Sequence, residues 1–211
     1  MITQDSRLTT HYCFQMNVAI IEYNAGNVQS VTYALNRLGI EPEITSDAEK
    51  IKAADRVIFP GVGEASTAMN HLRNTGLHTL IPTLKQPVLG ICLGLHMMCR
   101  HSEENDTAGM GIFDLEVKRF PAEDKVPHMG WNTISGLQGP LFEGVDAGEY
   151  LYFVHSYYAE LSAHTVARCD YSRPFTVALQ RDNFFAIQPH PEKSSHTGSK
   201  IIENFLNLKN A

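Results

Sequence analysis

Residues 87–96 read PVLGICLGLH, and the fold is decided there. The first half is a short apolar run of the kind that forms a buried strand. Gly90-Ile91-Cys92-Leu93-Gly94 then forces a sharp turn, and residues 93–101 read as the start of a helix. Strand, tight turn and helix together are the pattern of a nucleophile elbow. One reactive side chain is held on a strained turn, with glycine on both sides because a Cβ there would clash. The residue at the tip is Cys92. The helix N-terminus behind it carries partial positive charge, which favours thiolate over thiol. A free cysteine is only a few per cent thiolate at neutral pH, so that help matters.

Upstream of the elbow the chain alternates strand and helix with short connections. Strands are expected at 18–21, 41–45 and 56–59. Between them, Asn24-Ala25-Gly26-Asn27 reads as a turn, with Asn27 able to cap a helix carrying Val28, Val31, Leu35 and Leu38. Gly39 stops that helix. Ser46 or Asp47 caps a short one containing Ile51, and helical stretches follow at 65–73 and 77–84. Such alternation predicts a doubly wound, mostly parallel α/β sheet flanked by helices. Ligands in these sheets sit at the carboxyl ends of the strands. Residues 24–27, 60–63 and 90–94 are the turns expected there. Downstream the pattern changes to an added antiparallel region, with strands near 112–120, 128–132, 150–158 and 164–170. A hairpin at 175–188 and a closing amphipathic helix carrying Ile201, Ile202, Phe205, Leu206 and Leu208 complete it.

The 211 residues are 43% hydrophobic and 19% charged, which suits one soluble globular domain with a proper core. The net charge of −6, with no Lys/Arg cluster, argues against a nucleic-acid partner and gives no membrane signal. No apolar run approaches the roughly 18 residues that span a bilayer. Cys13, Cys92, Cys99 and Cys169 are too scattered for a disulfide framework, so a reducing, cytoplasmic setting is expected. Residues 1–15 are polar and aperiodic and lack the apolar core of a signal peptide. They read as an extension before a single domain at 16–211, with Met16 a second candidate start.

A cysteine nucleophile needs a base, and the base needs an orienter. Residues 188–192, QPHPE, offer both. In an extended segment residues i and i+2 point the same way. His190 and Glu192 would then share a side, and Glu192 would hold one imidazole nitrogen while the other faces the thiol. An oxyanion hole is the third need, since a lost donor costs roughly 10²–10³ in rate. One donor is the N–H of Leu93, just after the nucleophile. The other is expected from Gly61-Val62-Gly63, where glycines let a peptide rotate.

Five segments now converge: PGVG (60–63), GICLG (90–94), PHMGWN (127–132), FVHSYY (153–158) and HPEKS (190–194). Together they resemble class I glutamine amidotransferases, and among these the glutaminase subunits of imidazole glycerol phosphate synthases. GICLG and HPE belong to the wider class; PHMGWN and FVHSYY are more specific. The resemblance runs from about residue 17 to the C-terminus. It implies that Cys92, His190 and Glu192 hydrolyse glutamine through a γ-glutamyl thioester, with no cofactor and no metal. Ammonia would pass to a partner (β/α)₈-barrel cyclase subunit in histidine biosynthesis. By the same match, Val62 and Gly63 would complete the oxyanion hole after a peptide flip. Gly61, His96, Ser156 and Tyr157 would contact glutamine. Asn27, Trp131, Tyr152 and Lys193 would face the cyclase.

Three positions depart from that family. His96 stands where glutamine is usual, which would make glutamine binding pH-dependent near the histidine pKa. Pro189 replaces a phenylalanine before His190, removing an N–H. Glu22 replaces an aspartate. Other readings remain at this point. A cysteine after an apolar strand is often mere core. Cys92, His96, Cys99 and His101 at helical spacing are a conceivable metal set. The chain as a whole is also compatible with an amidotransferase serving a sugar-pathway acceptor, a catalytically silent regulatory subunit or a cysteine peptidase.

Overall fold

The computed structural model describes residues 16–23, 27–123 and 125–209. The expected extension at 1–15 and the turn residues Asn24, Ala25 and Gly26 lie outside the described residues. The first half alternates as β1 (Val18–Ile21), α1 (Val28–Arg37), β2 (Glu43–Thr45), α2 (Ala48–Ala53), β3 (Arg56–Phe59), α3 (Ala65–Asn74), α4 (Leu77–Leu80), β4 (Val88–Ile91) and α5 (Leu93–Met98). The second half is mostly strands: β5 (Cys99–Ser102), β6 (Thr107–Ala108), β7 (Phe113–Arg119), β8 (His128–Thr133), β9 (Tyr150–His155), β10 (Tyr157–Ala159), β11 (Thr165–Asp170), β12 (Pro174–Arg181) and β13 (Phe184–Ile187). Helix α6 (Ser195–Leu206) closes the chain.

Seven strands form the main sheet in the order β11-β12-β13-β4-β3-β1-β2. From β13 to β2 every pairing is parallel, while β11, β12 and β13 pair antiparallel. The expected parallel sheet with an antiparallel addition is what forms. Strands β1, β4 and β13 carry no polar side chain because both faces are covered. Side chains alternate across a strand. Val18, Ile20, Ile58, Leu89 and Ile91 pack on one face with Val31 and Leu35 of α1 and Ile201 and Phe205 of α6. Ala19, Ile21, Val57, Phe59 and Val88 pack on the other with Met69 and Leu72 of α3 and Leu95 of α5.

The antiparallel wing explains how residues far apart in sequence meet. Strand β13 lies parallel beside β4, with Ile187 opposite Ile91. Both chains therefore leave the sheet at the same end, Cys92 from one and Gln188 from the other. Strand β3 is the other neighbour of β4 and delivers Pro60 to Gly63 to that end.

Two local expectations need correction. Helix α5 ends at Met98, and residues 99–102 are strand, not helix. Cys99 turns extended (φ −70°, ψ 168°) because it pairs with Phe113 of β7. The carbonyls of Met97 and Cys99 accept from the N–H groups of Met110 and Gly111 instead of continuing a helix. Residues 77–84 are one α-turn followed by a 3₁₀ turn at Ile81–Thr83. Asp47, one of two candidates, is the cap of α2, accepting from the N–H groups of Glu49 (2.8 Å) and Lys50 (3.2 Å).

Candidate active site

Cys92 adopts φ 52°, ψ −104°, the strained backbone expected at an elbow tip. Its neighbours show why glycine is required. A Cβ on Gly94 would overlap the Phe59 carbonyl oxygen of β3, and one on Gly90 would lie 2.9 Å from both Gly94 C and Met98 Sδ. The turn is pinned by Cys92 N–H donating to Ile187 O (2.8 Å) and His96 N–H donating to Cys92 O (3.2 Å).

His190 and Glu192 meet, though by another route than an extended strand. Pro191–Lys193 is a single 3₁₀ turn, and Glu192 folds back on its own histidine. His190 Nδ1–H donates to Glu192 Oε1 at 2.8 Å, with both side chains fully buried. Nε2 is buried with no hydrogen-bond partner of standard geometry among the described residues, which leaves it for the Cys92 thiol. Burial works against a charged imidazole, yet hydrogen bonding and charge from Cys92 and Glu192 outweigh it. The His190 pKa is held well above the usual value. Pro189 costs no hydrogen bond, because the N–H groups used are its neighbours': Gln188 to Val177 O (2.7 Å) and His190 to Tyr152 O (2.9 Å). Helix α6 presses Gly198 so closely on the Pro191 carbonyl that any Cβ there would overlap it.

Asn27 begins α1 with φ 77° but does not cap it. Its Nδ2 donates to Glu192 Oε1 instead, so the expected cap is a second hold on the carboxylate. Cys92 lines a cavity of about 340 Å³ together with Val62, Gly63, Leu93, His96, Glu104, Ser156 and Tyr157, among others. Gly61 does not line it. Gly61 is buried, and its carbonyl accepts from the Leu93 N–H at 3.3 Å. The Tyr23 hydroxyl donates to the Pro60 carbonyl and anchors the strand just before it. Glu104, unnoticed in the sequence, is half-buried, and burial raises its carboxyl pKa. A larger groove of about 410 Å³ opens at the opposite end of the strands beside Pro87 and Asn183, and holds none of these groups.

His96 is buried, and its Nε2–H donates to Gln188 Oε1 at 2.9 Å. Burial lowers its pKa to about 4, so the pH dependence expected near neutrality is not carried by this residue. The metal reading fails on position. Cys99 and His101 leave the helix, His101 bonds Asp106, and among the described residues no three His, Cys, Asp or Glu side chains gather to hold an ion.

Strands β8 and β9 form a separate hairpin with Trp131 opposite Tyr152. Its outer face shows Met129, Trp131 and Tyr150, each more than half exposed, and half-buried Tyr152 against Trp131. Lys193 is exposed and Asn27 half-buried. The inner face carries a directed chain. Asn132 Nδ2 donates to His128 Nε2 (3.3 Å), His128 Nδ1–H to His155 Nε2 (3.0 Å), and His155 Nδ1–H to Tyr157 O (2.7 Å). Burial lowers His128 to about 4 and His155 well below its usual value.

These histidines predict acid sensitivity. With folded pKa values below the unfolded 6.5, His96, His128 and His155 contribute stability that is complete above about pH 6.5. It is lost as pH falls toward 4, because the unfolded chain then binds protons the folded one refuses. His190, shifted the other way, contributes fully throughout that window. The melting temperature should fall between pH 6.5 and 4; a flat profile would contradict the assignment.

Residues 19–208 match the family model "Glutamine amidotransferase class-I". Imidazole glycerol phosphate synthase subunit HisH of Bacteroides fragilis is 60% identical over 196 residues, covering 92% of this chain and 100% of that one. The protein of that name from Vibrio parahaemolyticus is 42% identical over 202 residues, covering 92% and 99%. A crystal structure of a glutamine amidotransferase superposes with a TM-score of 0.71 at 19% identity, over 90% of this chain and 96% of that one. Among the described residues no helix is long and apolar enough to cross a membrane. An elbow cysteine beside a buried His–Glu pair and identity along nearly the whole chain lead to one assignment: the chain belongs to the class-I glutamine amidotransferase family, among the HisH subunits of imidazole glycerol phosphate synthase.

Proposed function

We propose that this chain hydrolyses glutamine to glutamate through a Cys92-His190-Glu192 triad and hands the ammonia to a cyclase subunit. The observation that carries the reading is the buried His190–Glu192 pair at the end of β13, beside an elbow cysteine that opens on a cavity. The Cys92 thiolate attacks the side-chain amide carbon. The C–N bond breaks, and the nitrogen leaves as ammonia with a proton from His190 Nε2. Water then attacks the thioester, His190 takes its proton, and glutamate departs with the sulfur restored as thiolate. Glu192 and Asn27 keep Nδ1 protonated and the ring fixed.

Ser156 and Tyr157 line the glutamine site, and the Glu104 carboxylate suits the substrate ammonium group. His96 closes the wall beside Cys92. The oxyanion needs the N–H groups of Leu93 and of the Val62–Gly63 segment, but Leu93 N–H is held by Gly61 O. Turning the Gly61–Val62 peptide, through ψ of the Cβ-less Gly61 and φ of Val62, would free Leu93 and point the Val62 N–H inward. The chain alone should therefore be a poor glutaminase.

The partner is a (β/α)₈-barrel cyclase, which uses the ammonia to form imidazole glycerol phosphate in histidine biosynthesis. Met129, Trp131, Tyr150 and Tyr152 supply an apolar docking face, with Lys193 and Asn27 at its side. Trp131→Ala should weaken cyclase binding by on the order of tenfold or more, as loss of a central aromatic anchor does. Unchanged affinity by titration calorimetry would move the interface elsewhere. The nucleophile itself is tested with a diazoketone analogue of glutamine: a covalent label on Cys92 is expected, and labelling of another residue would contradict the triad.

A further inference from the structure

We propose that Gln188 is a further catalytic residue whose side-chain amide donates to Cys92 Sγ and stabilises the thiolate, with His96 the positioning residue that keeps the amide turned that way. The inference rests on Cys92 being the nucleophile. Gln188 Nε2 lies 3.6 Å from Cys92 Sγ, and Gln188 Oε1 accepts from His96 Nε2–H at 2.9 Å. All three side chains are buried, Gln188 completely.

The backbone brings residue 188 beside the elbow. Strands β4 and β13 end side by side, and Cys92 N–H is bonded to Ile187 O. The Gln188 N–H is bonded on the far side to Val177 O. Residue 188 is thus held between two strands, and its carboxamide lies between the elbow sulfur and His96 of α5.

A carboxamide has two ends of opposite character and nearly the same shape. With oxygen toward sulfur it would repel a thiolate; with nitrogen toward sulfur it supports one. Nothing in the Gln188 backbone chooses between these. His96 does. The Tyr157 carbonyl near the ring already accepts from His155 Nδ1–H at 2.7 Å, so the single proton of a neutral His96 is placed on Nε2, where only the amide oxygen matches it and the amide hydrogens turn to Cys92. Burial keeps His96 neutral, consistent with that single-donor role. A glutamine at position 96 would present both a donor and an acceptor and so would fix the amide less firmly. The position where this chain departs from its family thus bears on the sulfur as well as on the substrate.

The titratable groups around Cys92 are His190 beyond β13, His96 on α5 and Tyr23 beyond β1, with Glu192 behind His190, and Glu104 and His155 facing the same cavity. Gln188 is the neutral donor among them, so its removal subtracts a hydrogen bond without changing any formal charge.

The test is the pH dependence of Cys92 alkylation by iodoacetamide, read by peptide mass spectrometry so that the other cysteines do not contribute. In Gln188→Met the midpoint should rise by about one unit or more, a tenfold loss of thiolate at lower pH. His96→Leu should move it in the same direction by less. Melting curves establish that each variant is folded; if Gln188→Met is not, the equally uncharged Gln188→Leu takes its place with the same expected direction. Folded variants with the midpoint of the unsubstituted chain would overturn the assignment. Undiminished glutamate release from Cys92→Ala would instead overturn the nucleophile reading, and this inference with it.

Discussion

Cys92→Ala is expected to lower glutamine-dependent product formation by the cyclase complex by roughly 10⁴-fold or more, in line with removal of other enzymatic nucleophiles. Product formation from added ammonium salt should be unaffected. The split follows from where Cys92 sits. It is the tip of an elbow that lines the cavity, and the polar groups beside its side chain are the Gln188 amide and the His190 imidazole. Alanine keeps a Cβ and accepts the φ of 52° no worse than cysteine does, so the turn and the sheet behind it survive. The hairpin that carries Trp131 is a separate sheet and is untouched. The complex should assemble, accept external ammonia and fail only at generating its own. Loss of both activities would make Cys92 structural.

Gly94→Ala is expected to destabilise the fold by about 3 kcal/mol or more, the range of severe core overpacking. The added methyl meets the Phe59 carbonyl, and β3 cannot retreat because it is paired on both sides, with β1 and with β4. The strain must then move α5, and with it Cys92. Chemical denaturation should show the loss of stability, and Cys92 alkylation should slow or lose its selectivity. Gly39→Ala is the contrast. Gly39 has φ 78° but nothing within 4 Å of a new Cβ, so only backbone strain of about 1 kcal/mol is expected. Equal effects at the two sites would show that steric contact with β3 is not what fixes the elbow.

Much of this was legible in the residues alone. The elbow was, because glycine at 90 and 94 answers a local steric demand that sequence records directly. The parallel half was, since strands covered on both faces read as unbroken apolar runs. The pairing of His190 with Glu192 was legible, but its geometry was not, because the 3₁₀ turn depends on the packing of α6 over Pro191. The true end of α5 was hidden for the same kind of reason. Residues 99–102 have helical spacing, and only β7 and the 109–111 segment, brought in by the fold, claim their backbone. Gln188, Glu104 and Tyr23 went unnoticed because each gains its role from a contact 37 to 96 residues away. Asn27 had a local reading, a helix cap, and a non-local partner displaced it.

On the proposed reading, nucleophile, base and orienter stand assembled while the Leu93 N–H, bonded to Gly61 O, leaves the oxyanion hole closed. The most direct test is glutamate release from glutamine by the purified chain, alone and after mixing with a cyclase subunit loaded with its acceptor ribotide. The account predicts little release alone and strong stimulation in the loaded mixture, lost in Cys92→Ala. No stimulation by any acceptor-loaded cyclase would contradict it.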